Sequence, residues 1–194
     1  NGARMAPTPL TLAETASVFG ERLTFKRLLS QTKNAKQRQA LLAGKVEDMI
    51  NTVVRQIAFY TFERAVHTER KGGELTAQRI GEIWLSVQGE SLGPAIEIKA
   101  GYENFWMYIP HFIHSPFYVY AYAFGDCLVN SLYAVYENAS EGFAERYLDM
   151  LAAGGTRHYS ELLRPFGLDA KDPKFWDGGL SVIAGMIDEL ETMR

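Results

Sequence analysis

Between residues 46 and 58, apolar side chains fall at Val46, Met49, Ile50, Val53, Val54, Ile57 and Ala58, the spacing of one face of an α-helix. A cap signal at Asn34 and Gln37 precedes this stripe and Lys71-Gly72-Gly73 follows it, so the pattern predicts one helix from about Ala35 to His67. At 1.5 Å per residue such a rod is about 50 Å long. A rod of that length with an apolar stripe needs helical neighbours along its whole length.

The rest of the chain supplies them. Thr11 stands as an N-cap with Glu14 three residues on, and Ala13, Ala16, Val18, Phe19, Leu23 and Leu28 fall broadly on one side of the helix that follows. Thr76 caps a helix whose Ile80, Ile83, Trp84 and Val87 share a face, and Gly93-Pro94 ends it. Ile96 and Ile98 alternate, which allows at most a minor strand. Ser115-Pro116 reads as an N-cap followed by proline at the first helical position. The helix it opens, running to about Tyr136, is apolar nearly all round from Phe117 to Leu132, so it is expected to be buried among other helices. Shorter helices follow at 141–151 and 156–163. Asp172-Pro173 begins one more turn or helix, which Gly178-Gly179 breaks, and Ile183, Met186, Ile187 and Leu190 mark a final amphipathic helix. The expected fold class is all-α.

Composition narrows the function. With 47% hydrophobic and 22% charged residues the chain belongs with ordinary globular domains. Its net charge is −3 and its Lys and Arg are scattered, so neither nucleic acid nor an anionic membrane is the expected partner. A single cysteine, Cys127, cannot close an internal disulfide, and no stretch reads as a signal peptide or a membrane span. A reducing cytoplasm is the expected location. The opening Asn1-Gly2-Ala3-Arg4 has no initiator methionine and runs into Pro7-Thr8-Pro9, which fits a piece of a longer chain or a tag remnant.

The common chemical motifs are missing: there is no Cys pair for a zinc knuckle, no His-Glu-x-x-His, no Gly-rich phosphate loop and no Gly-x-Ser-x-Gly elbow. Glu63 with His67, and His158 with Glu161, have the spacing of helix-face neighbours and read as solvated pairs.

Two segments carry more. In Pro9 to Glu21, Glu14 sits in a first helical turn among small and apolar residues, either as the acidic member of a capping box with Thr11 or as a metal ligand. In His111 to Gly125, Tyr118 and Tyr122 stand one helical turn apart, Gly125 lies beside them without a side chain, and His111 precedes the helix in a loop. An imidazole and two phenols converging on one point would donate hydrogen bonds to an oxyanion. A buried aromatic stripe with satisfied histidines is the plainer reading of the same spacing.

At these segments the sequence resembles oligoendopeptidase F and its relatives among the M3 zinc metallopeptidases. The likeness runs through the whole chain and is strongest at residues 7–21 and 106–125. It implies that residues 1–194 are the C-terminal part of a largely helical, channel-containing catalytic domain, and that the intact enzyme cleaves short peptides with the help of zinc. In the family two histidines of a His-Glu-x-x-His helix and a later glutamate hold the metal. That glutamate matches Glu14 in Ala13-Glu14-Thr15-Ala16-Ser17, and the helix would lie upstream of this chain. The resemblance likewise assigns His111 with Tyr118 or Tyr122 to the substrate backbone and the oxyanion. Tyr120 points elsewhere on the helix and is left to packing, and His114 is either a rival of His111 or an exposed loop side chain. Glu14, His111, Tyr118 and Tyr122 are then expected to face one cleft, and the chain alone to be inactive. Two alternatives remain: a non-catalytic helical domain that binds a peptide or small ligand in the tyrosine groove, and a scaffold that uses the Val46 to Ala58 stripe.

Overall fold

The computed structural model describes Pro9 and residues 12–139 and 141–193, and these contain helices and no strand. The helices are α1 (Thr15–Gln31), α2 (Ala35–Thr52), α3 (Val54–Arg70), α4 (Ala77–Leu92), α5 (His111–His114), α6 (Tyr120–Asn138), α7 (Phe143–Ala153), α8 (Tyr159–Leu163) and α9 (Pro173–Thr192), with a 3-10 segment at Tyr102–Tyr108. The all-α expectation is met, and the Ile96 to Ile98 stretch is loop. The chain divides into two compact units, Asn1–Ile50 with Phe124–Arg194, and Asn51–Ala123.

Several helix starts are set by side chains visible in the sequence. Asn34 Oδ1 accepts from Gln37 N–H at 3.1 Å, Thr76 Oγ1 from Arg79 N–H at 3.1 Å, and Asp172 Oδ1 from Lys174 N–H at 3.0 Å. Each satisfies one of the amide donors that a helix start leaves without an internal partner. At α4, Gly93 ends the helix with φ +67°, where a glycine carries no Cβ penalty.

The single rod from Ala35 to His67 does not form. The helix is interrupted at Val53, whose backbone sits at φ −100°, ψ −68°. No Gly or Pro marks the place. Three consecutive β-branched residues, Thr52-Val53-Val54, lower helix propensity there. The buried stripe also slips in phase across the break: Val46, Met49 and Val53 are buried, then Ala58, Phe59 and Phe62, while Ile57 is 48% exposed.

In the first unit the core gathers Leu12 and Phe19 with Leu128, Leu132 and Tyr133 of α6, Phe143 and Met150 of α7, Leu162 and Leu163 of α8, and Phe175 of α9. The α1 face differs from the one expected. Thr15, Phe19, Arg22, Phe25 and Leu29 are buried, whereas Leu23 and Leu28 are exposed. Reading only apolar residues missed this face because two of its five members are polar. Arg22 lies over the Tyr133 ring at 5.3 Å, and burial lowers its pKa. The start of α1 is also later than expected: residues 12–14 form a turn, with Leu12 N–H donating to Pro9 O at 2.8 Å. Thr11, the expected cap, lies outside the described residues.

Nor does Gly178-Gly179 break a helix, since α9 runs through both. A Cβ on Gly179 would lie 3.0 Å from Cys127 Cα and Cβ, so this glycine lets α9 lie close against α6. Gly179→Val is expected to destabilise the fold by about 1–3 kcal/mol through overpacking, read as a lower midpoint in thermal denaturation. Cys127 itself is buried, and burial pushes its thiol up to about 12. A disulfide reagent at pH 8 is therefore expected to leave it unlabelled in the native protein and to label it fully in denaturant.

In the second unit α3 packs on α4, and Phe59, Phe62, Ile83, Trp84, Ile109 and Val119 form the core. Fully burying each such side chain contributes about 1.5–3 kcal/mol. The Glu63–His67 pair is not a solvated helix face: His67 is exposed, but Glu63 is 3% exposed and Glu63 Oε1 accepts from the Phe117 N–H at 2.8 Å. Ser115-Pro116 correspondingly fails to open α6. Phe117 takes a left-handed backbone, φ +63°, and the helix begins at Tyr120.

Candidate active site

Three of the four candidate residues belong to the second unit. His111 opens α5, the single turn that follows Pro110, and its carbonyl accepts from Ser115 N–H at 3.0 Å. The chain then passes through the Phe117 turn, delivers Tyr118 just before α6, and carries Tyr122 in the first turn of that helix. Tyr118 is thus not a helical residue, although its carbonyl accepts from Ala121 N–H at 2.9 Å.

The three rings pack together. His111 and Tyr118 stack with centroids 5.8 Å apart at 26°, Tyr118 meets Tyr122 at 5.3 Å and 62°, and His111 meets Tyr122 edge-on at 5.7 Å. His111 Nε2 lies 3.2 Å from the Tyr122 hydroxyl. All three residues are half-buried. If His111 carries a proton on Nε2 it donates to the Tyr122 oxygen, which leaves the phenolic O–H to point elsewhere and makes it a better donor. Of the neighbours, His114 is exposed, and Tyr120 meets Tyr60 edge-on at 6.3 Å.

Glu14 belongs to the first unit. It precedes α1 at the N-cap position, where its side chain caps no backbone amide. Ser17 Oγ donates to the Glu14 carbonyl at 3.1 Å and stands 3.4 Å from Glu14 Oε2. Its stem packs over α6: a Cβ on Gly125 would lie 3.4 Å from Glu14 Cβ. The space that glycine opens in the helix surface is taken by the glutamate. Next along α6, Asp126 is buried, and burial raises its carboxyl pKa against the opposing pull of Lys45, Arg22 and the Asn130 amide.

Among the described residues no three His, Cys, Asp or Glu side chains are grouped to hold a metal ion. Glu14, half-buried at a helix start and joined to Ser17 alone among its described side-chain neighbours, has the chemistry of one carboxylate ligand. A set of three needs donors from elsewhere. A cavity of about 440 Å³ between Leu92 and Phe105 has none of the four candidates in its lining.

Beside the ring group, Glu63 is the residue whose setting differs most from the solvated pair its spacing suggests. Its spacing to His67 was visible, but the spacing cannot tell a surface pair from a carboxylate turned inward. A hint lay in its neighbours, because Phe59 and Phe62 place apolar rings on the same side of α3.

Known proteins are similar to this chain in sequence and in fold. The chain is 29% identical over 183 residues to the oligopeptidase PepF of Bacillus subtilis, which covers 94% of this chain and 27% of that protein. It is 28% identical over 186 residues to the plasmid-encoded oligoendopeptidase F of Lactococcus lactis subsp. cremoris, covering 95% of this chain and 31% of the relative. Among solved structures, oligoendopeptidase F from Enterococcus faecium superposes with a TM-score of 0.86 at 27% identity, over 97% of this chain and 36% of that one. The chain therefore spans about a third of the length of these proteins. The family profile described as Peptidase family M3 matches residues 3–181, and the chain belongs to that family of peptidases.

Proposed function

We propose that this chain is the C-terminal part of the catalytic domain of a zinc-dependent endopeptidase that hydrolyses short oligopeptides. The observation that carries the reading is the packed group of His111, Tyr118 and Tyr122, with an imidazole nitrogen 3.2 Å from a phenol. Within the first unit, Glu14 at the start of α1, with its stem over Gly125, supplies a carboxylate of the kind zinc takes.

In this reading Glu14 is one of three protein ligands, and the rest of the longer protein contributes the other two. Bound zinc supplies Lewis-acid polarisation of the scissile carbonyl and acidifies water. This chain's own residues do the remainder. The hydroxyls of Tyr122 and Tyr118 donate hydrogen bonds to the carbonyl oxygen as negative charge develops there, and His111 orients Tyr122 and polarises its hydroxyl. Because the rings are already packed against one another, little reorganisation is needed when the charge appears. The half-buried setting strengthens these hydrogen bonds relative to bulk water.

The test is hydrolysis of a short internally quenched peptide by the longer protein. Turnover that a chelator abolishes and zinc restores is expected, together with little cleavage of folded substrates. Turnover indifferent to the chelator would refute zinc dependence, and absence of any peptide hydrolysis would refute the peptidase reading.

A further inference from the structure

We propose that Glu63 is a positioning residue for Tyr118, holding the strained Phe117 turn that sets the tyrosine against His111 and Tyr122. The inference rests on the reading that the Tyr118 hydroxyl serves as an oxyanion donor.

Phe117 adopts φ +63°, alone among the described non-glycine residues in having positive φ. A bulky aromatic residue in this region is a genuine outlier, and such strain persists only where surrounding contacts impose it. Locally the sequence favours a different course, because Ser115-Pro116 is the start signal of a helix that would run straight through Phe117. What opposes that preference is the 2.8 Å hydrogen bond from Phe117 N–H to Glu63 Oε1, aided by the His67 ring at 4.8 Å from the Phe117 ring. At 2.8 Å this is a short, well-formed hydrogen bond for a backbone amide.

Glu63 is poorly explained as a stabiliser of the core. It is 3% exposed, and its second oxygen, Oε2, has no hydrogen-bond partner among the described residues. Burying a carboxylate with an oxygen unbonded costs stability. Its one hydrogen bond among the described residues goes to the strained residue directly before Tyr118, and an outlier with a costly buried anchor points to function at the residue it places. With the bond removed, residue 117 relaxes toward negative φ and the Tyr118 ring leaves its stack on His111.

The experiment is a set of variants in the longer enzyme, measured by steady-state hydrolysis of a quenched peptide and by hydrogen exchange of the segment 115–119. Glu63→Leu is expected to lower kcat about tenfold with KM within about twofold, since a small misplacement of a catalytic group acts on turnover. Exchange in 115–119 should accelerate. Glu63→Gln, which keeps an acceptor at the same reach, should hold kcat within about threefold of wild type. On a Tyr118→Phe background Glu63→Leu should cost no further turnover, because the two act through one hydroxyl. If Glu63→Leu does not fold, Glu63→Asp, shorter by one methylene, should show the same dependence on Tyr118. A loss that is equal with and without the Tyr118 hydroxyl, or a lower melting temperature with unchanged kcat, overturns the positioning role alone. Full turnover in Tyr118→Phe overturns the donor reading beneath it, and is recognised without any Glu63 variant.

Discussion

Replacing Tyr122 by phenylalanine in the longer enzyme is expected to lower kcat about 100-fold, with KM within about twofold and zinc content unchanged. The substitution removes one oxygen and keeps the ring, so the edge contacts to Tyr118 and His111 survive. What is lost is the hydroxyl 3.2 Å from His111 Nε2. A donor that engages a developing oxyanion contributes in the transition state and hardly at all to substrate binding, which is why turnover carries the effect. The loss corresponds to about 3 kcal/mol, the worth of one oxyanion-hole donor. Steady-state kinetics with parallel metal analysis provides the check. Full turnover with zinc retained would reduce Tyr122 to packing.

The second large effect concerns the 194-residue chain by itself. It is expected to hydrolyse quenched peptides at least about 10⁴-fold more slowly than the longer enzyme, because removing central catalytic parts costs on that order. Among the described residues no three metal-ligating side chains are grouped, and one carboxylate cannot hold a catalytic zinc against solvent. Zinc titration of the chain should accordingly reveal only weak binding. Chelator-sensitive hydrolysis by the purified chain at a rate near that of the longer enzyme would overturn this.

The helical fold was legible because its determinants are local. Asn34, Thr76 and Asp172 announce helix starts by their own side-chain chemistry, and Gly93 an end. The places where the reading failed depend on tertiary contacts. Gly178-Gly179 has the composition of a breaker, yet a helix passes through it because Gly179 gives Cys127 room. The interruption at Val53 leaves no Gly or Pro to announce it, and the apolar periodicity carries on across it with a slip of phase. Ser115-Pro116 is a sound helix start overruled by a carboxylate more than fifty residues earlier, Glu63. The candidate site divides in the same way. Helical spacing paired Tyr118 with Tyr122, but Tyr118 lies before α6, and it is the Phe117 turn, not a shared helix face, that brings its ring against His111 and Tyr122. Glu14 was drawn from family resemblance, since nothing local separates a ligand from a cap.

The central claim is that Glu14 is a zinc ligand, and metal content of the longer enzyme tests it most directly. Glu14→Gln keeps the size of the side chain and its packing over Gly125 but replaces a charged ligand by a weak neutral one. Equilibrium dialysis against buffered zinc followed by elemental analysis should show affinity falling by about 100-fold or more, beyond the loss seen when only an outer-shell partner of a ligand is removed. Peptide hydrolysis should fall with it and recover in part when zinc is raised. A Glu14→Gln enzyme that binds zinc with wild-type affinity would contradict the account.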